Sequence, residues 1–170
     1  KVLVLPKALW NAAWQEAPDR EMRKLRTTIE RCIRGREGHT SSRSRLLIWA
    51  NSLGADACPY FYAGMRALGA ERRRRTLGLN RGEMTEIRGK GNPTARIEEL
   101  WGWENRGEGK YGTSDGELDI MCDGPATVKN IAEGAWVDWM WLQESRVQRD
   151  GARNPKHAGV LQRQRAGLHG

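Results

Sequence analysis

Residues 123–148, DGPATVKNIAEGAWVDWMWLQESRVQ, constrain the fold of this chain more than any other stretch. Val128, Ile131, Ala132, Ala135, Trp136, Trp139 and Met140 recur at the i, i+3, i+4, i+7 spacing that places apolar side chains on one face of a helix, and Leu142 falls in the same arc. Asp123 or Gly124 can cap the start. Pro125 suits a first turn, where its missing N–H has no intrahelical acceptor, and Gly151 stands just past the expected end. A stripe this long has to be buried, so the rest of the chain is expected to pack around this helix. Val137 and Trp141 lie on the opposite, polar side. Trp141 is therefore expected to be exposed and to serve as a partner contact.

The same periodicity organises the first half of the chain. Residues 2–5 suit a short strand, and residues 7–16 a short helix with Trp10 and Trp14 on its broad apolar face. Pro18 opens a helix that Gly35 ends, with Met22, Leu25, Ile29, Cys32 and Ile33 on a narrow inward arc. On the other side stand Arg20, Arg23, Lys24, Arg31 and Arg34, with Glu21 and Glu30 on the flanks, so this helix is expected to carry a cationic ridge. A third helix, capped by Ser42 or Ser44 and ending at Gly54, is apolar nearly all round and belongs in the middle of the fold. A fourth runs from Pro59 to about Arg72, and Arg72, Arg73, Arg74 and Arg75 extend past its end, either to offset the negative C-terminal end of the helix or as a flexible basic finger that contacts phosphate.

Charge decides which class of partner these faces suit. There are 29 basic and 21 acidic residues, a formal charge of +8, and the basic residues are mostly arginine. Guanidinium groups fork onto phosphates and stack on bases, whereas ammonium groups act as point charges, so the bias points to nucleic acid. Three cysteines without a C-x-x-C pair, and three histidines not grouped with them, argue for free thiols in a reducing, intracellular setting and against a structural metal. No apolar run approaches the length of a membrane span.

Three local patterns resemble known motifs. Residues 79–100 resemble a DNA-binding helix-turn-helix, with Met84 inward, Gly89 in the turn and Ala95 inward on the second helix. Arg88, Lys90 and Glu98 stand where that family packs apolar side chains. What remains is a basic turn of Arg81, Arg88, Lys90 and Arg96 that suits phosphate contact. Residues 100–103, Leu-Trp-Gly-Trp, resemble the Gly-Trp hooks by which some silencing factors and viral suppressors hold Argonaute proteins, and Trp103 is the hook expected to be exposed. Within the Gly-rich, acidic loop expected over 102–124, Glu117 and Asp119 followed by Lys129 are similar to the core of PD-(D/E)xK nucleases. The resemblance implies a magnesium ion held by carboxylates that include Asp119, with Lys129 orienting the attacking water and Glu99 as a further carboxylate. Thr127 stands where that family has an acid, and Lys129 falls in the long helix.

The expected fold is mostly α: a single-domain bundle of helices over 1–150 with at most a small two-stranded sheet joining the Val2 and Leu118 segments, then a basic, flexible tail over 151–170. The expected function is non-enzymatic nucleic-acid binding with RNA favoured, through arginine contacts to phosphate and tryptophan stacking, without a cofactor. A coat protein or nucleoprotein, a silencing suppressor or a ribosome-associated subunit would fit, as would self-association into a larger assembly. A structural protein with a protein partner and the metal-dependent nuclease are the alternatives.

Overall fold

The computed structural model describes residues 18–34, 48–79 and 94–153, together with Leu5, Leu9 and Arg45. The protein is mostly helical. Helix α1 is Asp19–Arg34, α2 Pro59–Thr76, α3 Ala95–Trp101 and α4 Pro125–Arg153, and between α3 and α4 lies a three-stranded antiparallel sheet. Leu5, expected at the end of a short strand, is helical, with its carbonyl accepting the Leu9 amide at 2.9 Å; the rest of the Val2 segment, the helix expected over 7–16 apart from Leu9, and the stretch 80–93 of the helix-turn-helix resemblance lie outside the described residues.

Each element starts and stops for a local reason. The Pro18 carbonyl accepts the amides of Glu21 and Met22 and so closes the first turn of α1. Arg45 and Ile48 are helical and lead into a π-helical turn, Trp49–Leu53, in which the Gly54 amide reaches back to the Trp49 carbonyl at 2.8 Å. Gly54, at φ 72°, ends the segment at the position expected from the sequence. Pro59 occupies the first turn of α2. At the other end the Gly78 amide bonds Arg75 O and the Leu79 amide bonds Arg74 O, with Gly78 at φ 66°. This is a Schellman stop, and it sets the end of α2 four residues later than expected. Arg72, Arg73, Arg74 and Arg75 are therefore helical, with Arg73, Arg74 and Arg75 in the last turn, so the run belongs to the helix end and the alternative of a flexible basic finger does not form.

The segment over 102–124, expected as a loop with one strand about Leu118, is a meander of β1 (Glu104–Gly107), β2 (Lys110–Thr113) and β3 (Gly116–Asp119), in which the Leu118 strand pairs with β2. Its glycines are turn punctuation: Gly107 and Gly109 at φ 85° and 86° close the first hairpin, and Gly116 at φ 127° follows the second turn. Tyr111 pairs with Leu118 across the sheet, and both side chains are buried. Arg106, Lys110 and Glu117 form an ion cluster on the opposite, exposed face. Three strands, not two, make the sheet.

One core cluster collects side chains from α1, the π turn, α2, α3, the sheet and α4, together with Leu5 and Leu9. Aromatic rings run through it in edge and tilted contacts: Tyr111 to Trp103, Trp103 to Trp101, Trp101 to Phe61 and Phe61 to Trp136, at centroid distances of 5.0–6.1 Å. Val128, Ala132, Ala135, Trp136, Trp139 and Met140 of α4 are buried as their spacing requires. Leu142 is not: it is 56% exposed although it shares their arc. Helix α4 also continues through Gly151 to Arg153. On α1, Met22 is buried and Leu25 and Ile29 are half-buried, while Cys32 and Ile33 at the far end of the expected stripe are exposed.

Candidate nucleic-acid interface

Helix α1 turns Met22 inward and presents Arg20, Arg23, Lys24 and Arg31 to solvent, as the ridge requires. These four, with Asp19, Thr27 and Thr28, line an open hollow of about 600 Å³. Arg34 closes the helix, and its side chain lies outside the described residues. Two carboxylates temper the ridge. Asp19 pairs with Arg23 across one turn, and Glu21 accepts from Lys24 Nζ at 2.8 Å, so among the described residues Arg20 and Arg31 are the ridge cations without an ion pair.

Asp19 is the residue that ties this face to the body. Its Oδ1 accepts from Tyr60 Oη at 2.9 Å and from Arg96 Nη2 at 3.1 Å, while Oδ2 faces Arg23. Burial works to raise the Asp19 carboxyl, but the bonds from Tyr60 and Arg96 and the charge of Arg23 outweigh it and hold it below the usual value. The Tyr60 phenol is pushed up to about 12, by burial first and then by its bond to Asp19. Glu30, expected on the flank of the ridge, is buried. Its Oε1 accepts from Trp49 Nε1 at 2.8 Å, its Oε2 from Arg45 Nη2 at 3.0 Å, and Arg26 Nε stands 3.5 Å away. Arg26 itself sits over the rings of Trp49 and Trp139, at 5.4 and 5.5 Å from their centroids. The roles of Asp19 and Glu30 were not read from the sequence, although Asp19 to Arg23 and Arg26 to Glu30 are both i, i+4 pairs.

The other cations expected to face phosphate divide into three groups. Arg72 donates to the carbonyls of Asp123 and Met121 and so holds the entry to α4. Arg74 and Arg75 close on Glu71 at 2.6–2.8 Å, and Arg96 lies on Tyr60 with its charge on Asp19. These four guanidinium groups serve the fold. Arg73 is exposed, and among the described residues its side chain bonds only the Gly69 carbonyl one turn back. Arg81, Arg88 and Lys90 lie outside the described residues.

Trp103, expected as an exposed hook, is 2% exposed and packs edge-on against Trp101, because the strand that follows carries it under the sheet. Trp141 is 55% exposed. The nuclease-like residues take other partners. Asp119 accepts the amides of Met121 and Cys122, and the Met121 bond foremost holds its carboxyl below the usual range. Lys129 Nζ reaches Asp56 at 2.7 Å and Glu133 at 3.6 Å, while Glu99 is exposed on α3. Among the described residues no group of three or more His, Cys, Asp or Glu could hold a metal ion. The three cysteines are free, and no helix of the described residues is long and apolar enough to cross a membrane.

The Glu71 cluster yields a pH prediction. Burial raises the Glu71 carboxyl, but bonding to Arg74 and Arg75 overrides this and lowers it. A carboxylate lowered on folding adds stability that is fully present above its unfolded value and is lost as pH falls through the folded one. Glu71→Gln should therefore be less stable than the parent at neutral pH, and the gap should narrow as pH drops below about 4. Thermal melts from pH 7 to pH 3 read this directly, and a gap that stays constant rules it out.

No family model matches the chain, and no curated protein or solved structure is similar to it.

Proposed function

We propose that this protein binds nucleic acid through the phosphate backbone, using the exposed face of α1. The observation that carries the reading is the convergence of Arg20, Arg23, Lys24 and Arg31 on one hollow, with two threonine hydroxyls among them. A surface of this composition neutralises phosphates and releases counterions, which makes affinity strongly dependent on salt and indifferent to sequence. RNA is the favoured form of the ligand.

Replacing Arg20, Arg23 and Arg31 together by glutamine should leave α1 formed, since glutamine is a good helix former and Met22, Leu25 and Ile29 are untouched. Affinity should fall alike for all sequences. The plot of log K against log salt should flatten by about 0.7–0.9 for each phosphate that is no longer neutralised. A triple variant that binds as the parent does at every salt concentration would mean that the ridge only solvates the surface.

A second reading, assembly with a protein partner, is favoured by one observation: Val137, Trp141 and Leu142 are all exposed near one another in sequence on α4. If this face is an interface between subunits, Trp141→Ser should shift sedimentation toward a smaller species and leave nucleic-acid affinity unchanged. Identical sedimentation of parent and variant argues against it.

A further inference from the structure

The chemistry of the α1 face also bears on which form of nucleic acid it takes. Arg20 and Arg31 stand eleven residues apart on one helix, close to three full turns, so they lie within about 20° of each other around the axis and about 17 Å apart along it. Thr27 falls between them at nearly the same angle, and Arg23 and Lys24 flank the line. The result is a straight, stiff row. Resting on the reading of this face as a phosphate-binding surface, we infer that it takes a double-stranded nucleic acid, lying along one backbone without reading bases.

Three observations carry this. Among the described residues, those around the hollow are charged or hydroxylic, and none is aromatic. Single strands are held by stacking bases on aromatic rings, a gain of about 1–3 kcal/mol per base that the described residues of this face do not supply. Among the described tryptophans only Trp141 is exposed, and it stands on α4. The other described tryptophans, which composition alone would offer for stacking, are taken up by the core.

The second observation is rigidity. A single strand laid along a row of about 17 Å must be straightened at a cost in conformational entropy, with no stacking to offset it. A duplex, with a persistence length of about 50 nm, is already straight on that scale. The third is charge. Asp19 and Glu21 answer two of the four cations, leaving a modest net positive row. Such a row gains most from the ligand with the densest charge, and a duplex carries one phosphate per about 1.7 Å of axis against about 3.4 Å for each strand.

The test uses the full chain and fluorescence anisotropy with three labelled probes of equal length: an RNA duplex, a DNA duplex and one RNA strand alone. Each is titrated over a range of salt with the parent and with Arg20→Gln/Arg31→Gln. Both arginines are exposed and have no ion-pair partner among the described residues, and circular dichroism of the double variant checks that its helix content is that of the parent. The parent should bind at least one duplex about tenfold more tightly than the single strand, a difference of about 1.4 kcal/mol. On the DNA duplex the double variant should flatten the salt plot by about 1.8, twice the value for one phosphate. Whichever duplex binds more tightly identifies the source of the backbone. If the single strand binds as well as both duplexes while the variant still flattens the plot, the duplex inference is overturned and the phosphate reading stands. If parent and variant match on every probe, both are overturned.

Discussion

Glu30→Ala is expected to lower the stability of the folded chain by about 3–5 kcal/mol, the loss typical of removing one partner from a buried ionic cluster. The side chain is 5% exposed and sits among three donors, Arg26, Arg45 and Trp49. Truncation takes the acceptor from Trp49 Nε1 and removes the negative charge between Arg26 and Arg45. A guanidinium kept in a poorly solvated place without its counter-charge costs more than the ion pair itself gains. Arg26 also lies between Trp49 and Trp139, so the disturbance passes from α1 through the π turn to α4. Glu30→Gln keeps a carbonyl oxygen for the Trp49 N–H and should lose less than Glu30→Ala, while still losing the charge. Urea unfolding monitored by tryptophan fluorescence checks both variants. An alanine variant within about 1 kcal/mol of the parent would show that the cluster contributes little.

The two glycines of α2 should respond in opposite directions to the same substitution. A Cβ at Gly64 would stand 2.7 Å from Trp101 Cη2 and 2.8 Å from its Cζ2, whereas a Cβ at Gly69 meets nothing within 4 Å. The Trp101 ring cannot step aside, because Phe61 and Trp103 hold it on either side and it is itself buried. Gly64→Ala gains up to about 1 kcal/mol in helix propensity and loses about 1–3 kcal/mol to overpacking, for a net destabilisation. Gly64→Val adds bulk with poorer propensity and should lose more. Gly69→Ala has no such opposing cost and should gain about 0.5–1 kcal/mol. Thermal midpoints of the three variants measure the contrast. If both alanine variants shift the same way, the close approach of α2 to Trp101 does not limit packing.

Local periodicity was enough to determine which segments are helical and which side of each faces inward. The α4 stripe from Val128 to Met140, the span of α1 and the glycine stop at Gly54 all follow from rules that act within a few residues. The outward set of Arg20, Arg23, Lys24 and Arg31 is legible for the same reason, since its geometry is that of one helix. What lies beyond one helix was decided by tertiary structure. A helical wheel gives the direction in which Leu142, Cys32 or Ile33 points, but not whether another part of the chain covers it, and these residues are exposed. Apart from the strand about Leu118, the segment 102–124 reads as loop because its strands are four residues each, too short to show alternation until they pair. The fates of individual charges and rings were least legible. Whether an arginine meets a phosphate or a carboxylate depends on what chain folding brings beside it: Asp19 beside Arg96, Glu30 beside Trp49, the Asp123 carbonyl beside Arg72, and Trp101 beside Trp103. Except for that last pair, these partners are separated by 19 to 77 positions in the sequence, and no rule acting over one or two helical turns spans that distance.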